Sequence, residues 1–146
     1  MNFKYIKAAE IVEYANFVVN KKSGPIPITP WRAVSQSANP FAKKEDVLLI
    51  TAEDESGIIK GYIGILPFPH PKYSGRRTYF NTCWWTNPQS GSAVSMGLFI
   101  RFLQTTNQNV VFSDLTARTT EVLSSMNTFN LQSRKGLIIR LRSGFH

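Results

Sequence analysis

The chain has 146 residues, of which 42% are hydrophobic and 18% are charged, which is typical of a folded domain rather than a disordered or coiled-coil protein. Its formal net charge of +8 arises entirely in residues 56–146, because residues 1–55 contain equal numbers of acidic and basic side chains. A single cysteine excludes an internal disulfide framework and a cysteine-rich zinc site. No apolar run approaches a membrane helix and the first residues do not resemble a signal peptide, so we expect a soluble, cytoplasmic protein.

The first part of the chain is predicted to form a strand, two helices and a β-hairpin. The strand alternates polar and apolar residues, and the first helix has apolar residues at helical spacing. Thr29 is a typical helix N-cap and Pro30 a typical first helical residue, so they begin the second helix. The first hairpin strand is continuously apolar, as in a strand buried on both faces. The predicted elements are strands over 3–7, 47–52 and 58–66, and helices over 8–20 and 29–36.

The second part of the chain is predicted to continue the sheet and then alternate strands with helices. The predicted elements are strands over 76–86, 109–115 and 136–142, and helices over 93–104 and 116–129. The element order is β-α-α-β-β-β-α-β-α-β, an antiparallel meander followed by a strand–helix–strand crossover. This order predicts an α+β (mixed α/β) fold with a central mixed sheet.

The stretch from Thr78 to Leu98 is the most informative about function. A long strand runs into a turn of small residues, and that turn leads directly into a helix. Small residues let a ligand approach the backbone, and the free N–H groups of a first helical turn carry partial positive charge. The pattern suits a pyrophosphate. Taken alone, however, Gly91, Ser92 and Ala93 are more often a tight turn and a helix cap.

The strand order, the long strand ending in Asn87-Pro88 and the small-residue turn that begins a helix resemble the GNAT acyltransferase superfamily. The resemblance spans residues 3–142 in element order rather than in sequence identity. It implies a GNAT-like central mixed sheet with helices on both faces. The GNAT fold usually has one more strand than this chain supplies, so we expect a single domain over 1–146 that lacks a final strand or is truncated from a longer chain.

The same resemblance implies a cofactor, acetyl-CoA or another acyl-CoA, along the strand over 76–86. The family places the pyrophosphate on the following loop, with the usual pattern Arg/Gln-x-x-Gly-x-Gly/Ala. Here Gln89 takes the first place and Gly91 comes one residue early, while Ala93 or Ser95 would supply the later small positions. The implied cofactor-binding residues are Trp85, Thr86, Gln89, Gly91, Ser92, Ala93, Val94 and Arg118.

The catalytic residues are not identified by the resemblance. GNAT enzymes often use a meander-strand carboxylate as general base and a later tyrosine as general acid. The strand over 76–86 contains no Asp, Glu or His, and the helix over 116–129 contains no tyrosine. A lone cysteine in an apolar strand is more often a core residue than a nucleophile. The remaining catalytic candidates are Tyr79, Cys83 and Asp114, followed by Ser113 and Ser125.

Three functions follow from these observations. The first is an acyl-CoA-dependent N-acyltransferase, in which a small-molecule or peptide amine attacks the acyl group directly. The second is a catalytically degenerate GNAT-like domain that serves as half of a larger protein or of a homodimer joined through an incomplete sheet edge. The third and least favoured is a nucleic-acid-binding module, suggested by the charge of +8 but by no recognisable motif. No metal site and no membrane association are expected.

Overall fold

The structure is a computed structural model that describes residues 1–69 and 77–112. The strands of these residues form one five-stranded sheet. These residues fall in one compact unit, Met1–Phe112. The strands are β1 (Asn2–Lys7), β2 (Val47–Glu53), β3 (Ile59–Phe68), β4 (Thr78–Thr86) and β5 (Val110–Val111). They are ordered β1-β2-β3-β4-β5, with antiparallel pairing from β1 to β4 and parallel pairing between β4 and β5.

Helices cover both faces of this sheet. They are α1 (Ile11–Lys21), α2 (Pro30–Ser37) and α3 (Ser92–Thr106). Neighbouring residues of β2 point to opposite faces, as the pleat of a strand requires. Leu49 packs with Ile11 of α1 and Ala33 of α2, whereas Ile50 packs with Leu98 of α3. The α1/α2 face and the α3 face therefore have separate hydrophobic cores. In the described residues, no helix is long and apolar enough to cross a membrane.

The predicted fold class is confirmed, because the antiparallel meander and the parallel crossover through α3 are both present. The predicted start of α2 is also confirmed. The Thr29 hydroxyl accepts a hydrogen bond from the Arg32 backbone N–H at 3.3 Å, and Pro30 is the first helical residue. These predictions succeed because they depend on local sequence, namely hydrophobic period and cap chemistry.

Two predicted boundaries are wrong. The first helix begins at Ile11 rather than at residue 8, because the Ala8 backbone N–H donates to the Asp46 carbonyl at 2.8 Å. Pro67, predicted to begin a loop, pairs with Tyr79 inside β3. In the described residues the pairing of β3 with β2 ends at Gly64, so the missing N–H of the proline costs no hydrogen bond on that edge.

The other predictions for this part of the chain agree with the structure to within a few residues. The helix predicted over 93–104 extends by one residue at its start and two at its end. Of the strand predicted over 109–115, the described residues show Val110–Val111 as strand, and residues 113–115 lie outside them. The predicted helix over 116–129 and the predicted strand over 136–142 lie outside the described residues.

Candidate functional site

A β-bulge interrupts the middle of β4. Ile63 of β3 lies opposite Trp84, whereas Ile65 lies opposite Asn81, so two residues of β4 face the single residue Gly64. Such an extra residue bends the strand and locally disrupts its hydrogen-bond ladder. The two residues that lie opposite Gly64 are Thr82 and Cys83, and both side chains point toward it.

Gly64 is required at this bulge by space. A Cβ atom at this position would collide with the Thr82 hydroxyl and would lie 2.8 Å from the Cys83 Sγ. The Asn81 side chain of β4 also bonds to the backbone at the bulge. Its Nδ2 donates to the Gly64 carbonyl and to the Cys83 carbonyl, each at 3.0 Å, which satisfies acceptors beside the interrupted ladder. The bulge is therefore held by a specific set of contacts.

Beyond the bulge, one edge of β4 has no strand beside it in the described residues. The parallel pairing with β5 is confined to Tyr79 with Val110 and Phe80 with Val111. Among the described residues, no strand pairs with the backbone N–H and C=O groups on that edge from residue 81 to residue 86, and such groups at a sheet edge can bind a ligand.

The part of β4 from residue 81 to residue 86 is followed, after a short turn, by the N-terminus of α3. After β4, the Asn87 side chain accepts a hydrogen bond from the Gln89 N–H at 3.0 Å and shapes a short 3-10 turn over Pro88–Ser90. Gly91 follows with a φ of 77°, a left-handed conformation that favours glycine. No side chain caps α3, and its first turn contains no acidic residue. Its first N–H groups therefore form a partly positive site that can bind an anion.

The two adjacent tryptophans of β4 lie on opposite faces of the sheet. Trp84 stacks on Phe99 of α3 with ring centroids 5.2 Å apart, while Trp85 stacks on Tyr62 with centroids 5.5 Å apart. Tyr62 packs against the core of the α1/α2 face. In the described part of the chain, the indole Nε1 of Trp84 and the hydroxyl of Thr86 are buried and have no hydrogen-bond partner. The bulged half of β4 thus holds two unsatisfied polar groups.

Seven of the eight predicted cofactor-binding residues are described, and they lie on one continuous stretch. Those from Trp85 to Val94 form a continuous path from the end of β4 into the first turn of α3. Gln89, Gly91, Ser92 and Ala93 are exposed on it, whereas Val94 is buried in the core of the α3 face. Arg118 lies outside the described residues.

The two catalytic candidates in the described residues, Tyr79 and Cys83, lie on opposite faces of the sheet. Tyr79 packs in the core of the α3 face, and the Arg77 guanidinium lies 5.5 Å from the centre of its ring. Cys83 lies on the other face, where burial raises the pKa of its thiol and disfavours the reactive thiolate. Asp114, Ser113 and Ser125 lie outside the described residues. Within residues 1–69 and 77–112, no group of three His, Cys, Asp or Glu side chains could hold a metal ion.

Sequence reasoning missed the residues that shape the bulge. An isolated glycine within a predicted strand is a known signal for a bulge, so Gly64 could have been identified. No local signal identifies Arg32 of α2, whose positive charge acts on both Cys83 and Tyr62. Burial is the larger influence on Tyr62 and raises the pKa of its hydroxyl.

Known proteins resemble this chain in structure but not detectably in sequence. No protein-family model and no curated protein matches it. An acetyltransferase from Trypanosoma brucei is 10% identical over 92% of this chain and 95% of its own, with a TM-score of 0.59. A ribosomal-protein-alanine N-acetyltransferase from Brucella melitensis biovar Abortus 2308 is 11% identical over 91% of this chain and 95% of its own, with a TM-score of 0.54.

A third solved structure, an aminoglycoside 6'-N-acetyltransferase from Acinetobacter baumannii, is 9% identical over 91% of this chain and 92% of its own, with a TM-score of 0.51. The chain has the GNAT fold. The resemblance seen in element order is thereby confirmed at the level of the fold, and the low identities show that this example of the GNAT fold is divergent.

Proposed function

We propose that the chain is an acetyl-CoA-dependent N-acetyltransferase whose acceptor is a small-molecule or peptide amine. The observation that carries the proposal is the continuity of the bulged edge of β4, which has no partner beyond Phe80 in residues 1–69 and 77–112, with the uncapped N-terminus of α3. The similar solved structures named as acetyltransferases support the same reaction class.

The residues present fit an acyl-CoA. The first N–H groups of α3, over Ser92–Val94, would hold the pyrophosphate, because they carry partial positive charge and no acidic side chain lies in that turn. The backbone groups of residues 81–86 would bind the amide-containing arm of the cofactor by adding hydrogen bonds at the strand edge. The buried Trp84 Nε1 and Thr86 hydroxyl lie on this stretch and still need partners. When bound, acetyl-CoA supplies an activated acetyl thioester.

The bulge gives the chain a means of stabilising negative charge. Displaced backbone N–H groups around Thr82 and Cys83 no longer complete a regular ladder and can donate to an oxygen that becomes negative during acyl transfer. In the described residues, the side chains at the bulge are those of Asn81, Thr82 and Cys83, and none of them is an effective general base near neutral pH. We infer that the acceptor reaches the site as a neutral amine and attacks directly.

Binding and turnover can be tested separately. Calorimetric titration with acetyl-CoA at near-physiological salt should give saturable binding, whereas a short oligonucleotide should give none. Release of the free thiol of CoA is then followed with a panel of primary amines. Turnover with one of these amines supports the proposal. Absence of acetyl-CoA binding to folded protein would contradict it.

A second function is favoured by one observation: among residues 1–69 and 77–112, no acidic or histidine side chain lies at the bulge. A catalytically degenerate GNAT-like domain would use the same cleft to bind a ligand or to support a larger assembly. Saturable acetyl-CoA binding with no thiol release for any amine would favour this second function. A mass in solution twice that of the 16.5 kDa chain would agree with the predicted homodimer.

A further inference from the structure

A second cavity, apart from the proposed acetyl-CoA site, lies between α1 and the β1–β2 end of the sheet. It has a volume of about 550 Å³ and is lined by residues of α1, β1, β2, the β2–β3 hairpin and the connection from α1 to α2. That volume lies within the roughly 300–1,000 Å³ range of small-molecule sites. No residue of the bulge or of the first turn of α3 lines it. It is therefore separate from the proposed acetyl-CoA site.

The walls of this cavity are largely apolar. Ile6, Val18 and Ile59 are buried and form part of its lining. Phe17 and Ile58, which are 63% and 45% exposed, also line it and give it an apolar border open to solvent. Such a surface would bury the hydrocarbon part of a ligand of a few carbon atoms.

Both lysines of the cavity already have oxygen partners within the protein. Glu53 is only 7% exposed and forms an ion pair with Lys4 at 2.8 Å. The Lys21 ammonium donates to the Gly57 carbonyl at 2.9 Å. Burial raises the pKa of Tyr14 to about 12, so its hydroxyl remains protonated at neutral pH. The two cations of the cavity thus have oxygen partners from the protein itself.

The remaining charge of the cavity is negative. Glu10 and Glu13 lie three residues apart at the start of α1 and both line the cavity. Glu10 accepts a backbone hydrogen bond from the Lys7 N–H at 3.2 Å, and Glu45 and, to a smaller extent, Glu10 raise the pKa of the Lys7 ammonium. In the described residues, neither Glu10 nor Glu13 forms an ion pair with a basic side chain. Lys21 keeps its positive charge, because its partner is a neutral carbonyl, so the lining has three carboxylates and two ammonium groups. An apolar cavity with this excess of one negative charge is complementary to a cation with a hydrocarbon chain.

We propose that this cavity binds a small aliphatic amine in its ammonium form. The ammonium group lies at Glu10 and Glu13, and the hydrocarbon chain lies against Val18 and Ile59. The site is distinct from the place where an acceptor amine would meet the bulge of β4. Occupancy of this cavity is therefore a binding property of the fold in addition to the proposed acetyl transfer.

The test compares three probes of equal chain length by calorimetry, with the intact chain. Hexylamine should bind saturably, whereas hexanoate and hexanol should bind at least about fivefold more weakly. Glu13→Gln should weaken hexylamine binding by about fivefold, because it removes one charge and keeps the shape of an exposed side chain.

A second pair of variants locates the site. Ile58→Trp should weaken hexylamine binding by more than about tenfold, because the larger ring would occupy the cavity. Ile100→Trp is the matched control, since Ile100 on α3 is 44% exposed and does not line this cavity. Hexylamine binding that resists both Glu13→Gln and Ile58→Trp would overturn the proposal. Equal binding of hexanoate, or no binding of hexylamine to folded protein, would also overturn it.

Discussion

β2 and β4 belong to one sheet, but they differ in burial and in strand pairing. β2 has a strand on each side, and six of its seven residues are buried. β4 contains a bulge, has no neighbour beyond Phe80 on one edge of the described sheet, and has only Thr78 fully buried. The fully paired strand supplies the two hydrophobic cores, whereas the bulged strand keeps backbone groups available. Stability and ligand binding should therefore depend on different strands.

The largest expected effect is on stability and comes from β2. Ile50 is fully buried against α3, so Ile50→Ala should reduce the free energy of unfolding by about 3 kcal/mol. Ile100→Ala, at an exposed position of α3, should change it by less than about 1 kcal/mol. Urea unfolding monitored by tryptophan fluorescence measures both. Acetyl-CoA affinity of the folded Ile50→Ala protein should stay within about twofold of wild type, since the backbone groups of the proposed site belong to β4 and to the start of α3 and not to β2. A larger loss of affinity would break the division between the two strands.

The next effect comes from the bulge. Gly64→Ala should reduce the free energy of unfolding by about 2 kcal/mol, because the new methyl group collides with the Thr82 hydroxyl. It should also weaken acetyl-CoA binding, unlike Ile50→Ala. Thr82→Ala removes the colliding hydroxyl, so the double variant should recover part of the stability lost by Gly64→Ala. A double-mutant cycle measures this coupling. Strict additivity of the two substitutions would contradict the described packing at the bulge.

A smaller effect concerns the start of β4. Arg77 donates from Nη1 and Nη2 to the two Asp46 carboxylate oxygens, each at 2.6 Å, and this contact holds the pKa of Asp46 below its usual value. Because the folded protein lowers the pKa of Asp46, the contact stabilises the fold at any pH above the pKa that Asp46 has in the unfolded chain. This stabilisation is lost as the pH falls through the lower pKa of Asp46 in the folded protein. Arg77→Met should therefore cost about 1 kcal/mol at pH 7, less than a buried pair because the arginine is partly exposed.

The pH dependence distinguishes this ion pair from lost packing. The stability difference between wild type and Arg77→Met should shrink as pH falls below about 4, whereas a packing defect would persist. Lys7→Met is the matched control, because Lys7 pairs with Glu45 in solvent. It should change stability much less than Arg77→Met does at any pH, because solvent screens an exposed ion pair. Equal effects of the two substitutions would show that the Asp46 contact does not anchor β4.

The sequence predicts β2 better than β4 for a physical reason. The apolar run of β2 and the Thr29-Pro30 cap act over a few neighbouring residues, so their consequences are visible in the local pattern. The bulge depends on the register between Gly64 and a stretch of β4 that lies 18 residues later in the chain. Two strands must first be paired before the extra residue becomes apparent. The second cavity depends in the same way on packing between α1 and β2.

The exposed turn before α3 was predictable in part. Small residues before a helix indicate close ligand approach, and the structure has an exposed, uncapped helix start at Gly91–Ala93. The end of the described β4–β5 pairing at Phe80 was not visible in the local sequence pattern, since it depends on how the two strands are paired. The two features together form the site that we propose for an acyl-CoA.

The most direct measurement compares acetyl-CoA binding by Ala93→Glu and Ala93→Gln. Ala93 is exposed in the first turn of α3, where a carboxylate stabilises a helix but repels a pyrophosphate. We predict that Ala93→Glu binds acetyl-CoA at least about tenfold more weakly than wild type, with an unchanged or slightly higher Tm. Ala93→Gln, of similar size but uncharged, should bind within about threefold of wild type. Equal affinities for the two variants would contradict a pyrophosphate site at the start of α3.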